Sequence, residues 1–168
     1  MDFFVWLENT PPSAFMREDF YAYFVALIFH AWGMAFLIGG GIAVSLRTMG
    51  VASAVPLEKF AKFFPWMWFG AVMALFSGIA LLFGYPAKAL TNPVFALKFA
   101  CFIAAALLTR RISRRYMALS TVGEPVPSEA RWVGAGALAL WLGGVACGKL
   151  LLYTNTILMA SNDVPMDF

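Results

Sequence analysis

The residues of this chain that could do chemistry inside a membrane are few: His30, Lys98, Lys149, Cys101 and Cys147. His30 is the only histidine, and it lies near the middle of an apolar segment, Phe20 to Ser45, long enough to cross a bilayer. An ionisable ring at that depth is costly and by default marks a site with a partner. That partner is not an acid of this chain, because all nine Asp and Glu residues fall outside the apolar segments, whereas Lys98 and Lys149 fall inside them. One imidazole, two ammonium groups and no carboxylate would attract something flat, apolar and anionic. Haem b is such an object, since imidazole is a common axial ligand to haem iron.

The elements that position these residues follow from composition. The chain is 62% hydrophobic and only 12% charged, against about 25% charged in soluble domains. Its mean hydropathy is +0.78, as expected of a membrane protein. Four apolar segments stand out, about 20–45, 63–84, 93–108 and 132–158. Each spanning helix needs ~20 residues to cross ~30 Å of hydrocarbon, so 168 residues leave no room for a soluble domain beside them. The expected fold is all-α: an antiparallel four-helix transmembrane bundle forming a single membrane domain, 1–168. Prolines 56, 86, 125 and 127 fall between the segments and Pro93 opens the third, at positions where helices stop or start. Ahead of the first span, Phe3 to Leu7 followed by Pro11, Pro12, Phe15 and Met16 is too short to cross and is expected to lie at the interface as a short helix.

Charge sets the orientation. The first and third loops carry eight Lys and Arg, namely Arg47, Lys59, Lys62, Arg110, Arg111, Arg114, Arg115 and Arg131, whereas the opposite side has Arg17 and Lys88. The positive-inside rule then places both termini on the periplasmic side of a bacterial inner membrane. The formal charge of +3 does not point to nucleic acid, because topology accounts for the basic clusters. The start lacks the basic region of a signal peptide, so no cleavage is expected.

On the helix face of His30 come Ala26 at i−4, Gly33 at i+3 and Met34 at i+4. Ala26 and Gly33 are small, as room for a flat cofactor requires, although small residues also let helices approach. Gly70, Ala74 and Gly78 on the second span, and Gly144 and Gly148 on the fourth, carry the same small-residue spacing. Met73 could supply a second axial ligand, with Lys98 or Lys149 facing the propionates.

Three readings fit these residues. In the first, the chain is an electron-transfer subunit that holds haem b on His30. The second treats it as a cofactor-free structural or anchor subunit of a larger membrane complex. A third makes it a copper-handling protein, with His30, Cys101 and Cys147 as soft ligands at similar depth. Independent catalysis is not expected: no glycine loop precedes a Lys-Ser/Thr pair, and no acid shares the depth of His30. Partners would be the lipid bilayer and other membrane or periplasmic redox subunits, or further copies of this chain.

The stretch from Ala26 through His30 and Gly33 to Gly40, with Phe64-Pro65-Trp66-Met67-Trp68, Ser77-Gly78 and Asn92-Pro93 to Lys98, resembles a family of short bacterial four-helix membrane proteins of uncharacterised role. It is more distantly similar to the membrane domain of copper-resistance protein D. The resemblance covers roughly residues 6–117. It implies a functional His on span one and a Lys early on span three, here His30 and Lys98. It also implies a second His at the end of span three, where this chain has Arg110 and Arg111.

Overall fold

A computed structural model describes residues 6–7, 9–84, 86–117 and 126–159. The residues expected to begin the N-terminal helix, Phe3 to Val5, lie outside this set, as do Pro125 and the tail after Met159. The described elements are helices α1 (Pro11–Glu18), α2 (Phe20–Met49), α3 (Phe63–Gly84), α4 (Pro86–Leu90), α5 (Pro93–Arg115) and α6 (Ser128–Met159), with a 3-10 turn at Leu57–Lys62. Four of them are long and apolar enough to cross a membrane: α2, the 3-10 turn with α3, α5 and α6. The protein is therefore an all-α, integral membrane bundle.

Local chemistry fixes the helix ends. The Asp19 carboxylate caps α2 by accepting from the Ala22 amide at 2.8 Å, and Asn92 does the same for α5 through Val94 at 2.9 Å. At its other end α2 stops on Gly50 in the left-handed region, φ 107°, where glycine carries no Cβ penalty. One turn before this stop Arg47 is fully buried, and its guanidinium donates to the carbonyls of Val55 and, at 3.2 Å, Ser53. A residue counted with the first loop thus belongs to the last turn of α2 and ties that loop down. Helix α5 also runs seven residues beyond its apolar segment. The extension has an inner face, where Thr109, Ile112 and Tyr116 are buried, and an outer face carrying the arginines. The Arg-rich end is thereby a helical extension of the bundle.

Packing is organised around α2, which lies against both α3 and α6; α5 packs on α6, and α3 and α5 hardly touch. The α2–α3 seam is closed by small residues. A Cβ on Gly33 would stand 2.5 Å from the Ala74 nitrogen and 2.8 Å from the Gly70 carbonyl, so the backbones are in direct contact. The α2–α6 seam is built differently. Trp141 is fully buried, its indole fills the notch left by Gly41, and its Nε1 donates to the Thr109 hydroxyl at 3.2 Å. Thr109 in turn donates to the Ala105 carbonyl at 2.8 Å, so the indole N–H is satisfied inside the apolar core. On α5 and α6, Phe102 occupies the space beside Gly144 and Lys98 that beside Gly148.

Candidate functional site

His30 is half-buried at the α2–α3 seam, ten residues into a helix and hence ~15 Å from its first turn. Its Nδ1 lies 3.0 Å from the Ala74 carbonyl and 3.3 Å from Ser77 Oγ. A carbonyl can only accept, so Nδ1 carries the proton and donates it. The Ser77 hydroxyl points its own proton at the Met73 carbonyl, 2.6 Å away, which leaves an oxygen lone pair toward the imidazole. In the neutral ring the lone pair then sits on Nε2, for which the described residues supply no hydrogen bond. The same edge of the ring also rests on Gly78, where a Cβ would stand 3.2 Å from Cε1 and 3.4 Å from Nδ1. Span two therefore positions the imidazole twice over, by a hydrogen bond and by a missing side chain.

The other residues expected at this site divide. Lys98 is half-buried, with its stem laid along Gly148: Cε is 3.7 Å and Nζ 3.9 Å from the position of a Cβ there. No described carboxylate forms an ion pair with its ammonium. Lys149, the next residue after Gly148, is exposed on the outside of the bundle. The two lysines thus diverge, and Lys98 alone accompanies His30.

Gly33 does not provide free space, because α3 backbone already fills it. Ala26, one turn the other way, is half-buried. Met73 is half-buried on α3 next to Ala74, and its carbonyl accepts from the Ser77 hydroxyl at 2.6 Å. Cys101 and Cys147 are free thiols, the first half-buried and the second buried. Cys101 lies on the α5–α6 seam, with Sγ 3.9 Å from the position of a Cβ on Gly143, and no group of three His, Cys, Asp or Glu side chains converges among the described residues. The copper set expected from similar depths is therefore not assembled.

Ala74 and Ser77, which orient the imidazole, have a signal in the sequence only in retrospect. The glycine spacing of the second span says that a helix comes close, but not that the histidine of span one is what comes close. Comparison with known proteins finds no matching family, no matching curated protein and no matching solved structure.

Proposed function

We propose that this protein is a membrane subunit that holds haem b on His30 and passes electrons, with both termini on the periplasmic side. The observation that carries the reading is the hydrogen bond from Nδ1 to the Ala74 carbonyl, which fixes the tautomer and presents Nε2 as a metal ligand. Metal-binding histidines are oriented in this way by a carbonyl or carboxylate on the other ring nitrogen. Lys98, by register about one turn deeper than His30, adds a buried cation that suits a group with an anionic edge. Bound haem would supply one-electron chemistry; His30 would hold it, and Ala26 rather than Gly33 would adjoin it. His30 is the only histidine in the chain, so it would be this chain's one imidazole donor to the group.

A reduced-minus-oxidised absorption spectrum of protein produced with haem available tests this directly. A b-type spectrum is expected, lost in His30→Ala and retained less firmly in Lys98→Met. Colourless wild-type protein would refute the reading. The structural-subunit reading would then take its place, supported by the exposed aromatic side chains of α3, including Trp68 and Phe76.

A further inference from the structure

The thiol pair is a second constellation, which shares only Lys98 with the haem reading. Helices α5 and α6 pack in a steady antiparallel register in which Lys98 meets Gly148, Phe102 meets Gly144, and Thr109 meets Trp141. Cys101 falls on the same stripe, with Sγ 3.9 Å from the position of a Cβ on Gly143. Cys147 is buried one turn further along that face of α6, so the register turns the two thiols toward the same part of the α5–α6 seam. Both lie within spans, and Lys98 precedes Cys101 by one turn of α5.

We propose that Cys101 and Cys147 form a two-coordinate site for a soft monovalent cation of the Cu(I) type. Thiolate sulfur selects such ions, and the absence of a third His, Cys, Asp or Glu donor among the described residues matches a linear two-sulfur complex rather than tetrahedral zinc. Binding forms two metal–sulfur bonds and breaks two S–H bonds: two thiols and M⁺ give M(SR)₂⁻ and two protons released to solvent. The complex carries one negative charge into a low-dielectric region, where Lys98 supplies the single positive charge that offsets it. This gives the intramembrane ammonium a counter-ion that no carboxylate provides.

The test titrates the reduced full-length protein in detergent, without oxygen, with Cu(I) against a chromophoric Cu(I) chelator. One equivalent per chain is expected, with two sulfur neighbours by X-ray absorption. Affinity should fall at least tenfold in Cys101→Ser and in Cys147→Ser, by a smaller factor in Lys98→Met, and not at all in His30→Ala. A readout on the unaltered protein guards against misfolded variants: Cu(I) should protect both thiols from alkylation as read by mass spectrometry. Unprotected thiols, binding that survives both serine substitutions, or loss of binding in His30→Ala would each overturn the proposal.

Discussion

Gly33→Ala probes whether backbone contact at the α2–α3 seam holds both the fold and the imidazole in place. The added methyl would stand 2.5 Å from the Ala74 nitrogen and 2.9 Å from its Cα, whereas carbon contacts settle at about 3.5 Å or more. Backbone atoms cannot rotate away, so the helices must part locally by roughly 1 Å. The His30–Ala74 hydrogen bond, now 3.0 Å, would stretch past the ~3.2 Å at which such bonds weaken. Overpacking costs about 1–3 kcal/mol and the lost hydrogen bond about 1 kcal/mol. Against this stands a gain of up to about 1 kcal/mol from replacing glycine within a helix. The net loss of ~1–3 kcal/mol should lower the thermal midpoint in detergent by several degrees, followed by circular dichroism. Gly39→Ala is the matched control six residues along the same helix, with nothing within 4 Å of the new atom, and it should leave the midpoint unchanged or raised. Equal behaviour of the two variants would refute the packing argument.

Further outcomes follow from other contacts. Thr109→Val keeps the shape but strands the buried Trp141 N–H, so stability should fall by about 1–3 kcal/mol, while Thr109→Ser should stay near wild type. Gly144→Ala drives a methyl into the Phe102 ring, whereas Gly148→Ala meets Lys98 only at ordinary contact distance; size-exclusion profiles in detergent should broaden for the first and not the second. In a background with both native cysteines replaced, an impermeant maleimide applied to intact cells should label Asn9→Cys and spare Ser53→Cys, and the reverse pattern would invert the topology.

The four spans were legible because uninterrupted apolar runs and intervening prolines are properties of local sequence. The small-residue spacings were legible too, as at Gly70, Ala74 and Gly78, since close helix approach leaves a periodic trace. What fills each notch was not legible. Gly33 reads equally well as room for a cofactor or as a helix contact, and only the neighbouring backbone decides it. Trp141 gave no sign of being the most deeply set aromatic, because its partners Gly41 and Thr109 lie 100 and 32 residues away in the chain. Arg47 and the end of α5 escaped for a related reason. Charge counting assigns basic residues to loops, but a helix continues through them whenever its inner face, here Thr109, Ile112 and Tyr116, still has something to cover. For the candidate site, His30 and Lys98 could be singled out by burial cost alone, while the carbonyl of Ala74 carries no side-chain signature at all.

The near-absence of contact between α3 and α5 bears on how the chain is assembled during synthesis. The molecule consists of two helical hairpins, α2 with α3 and α5 with α6, each closed by its own tight seam, and joined side by side through Gly41 and Trp141. Each hairpin can enter the bilayer as a unit as it leaves the ribosome, the first without waiting for the second. Two separately encoded halves, divided in the connection between Gly84 and Pro93 that carries α4, should accordingly find each other in the membrane and re-form the whole.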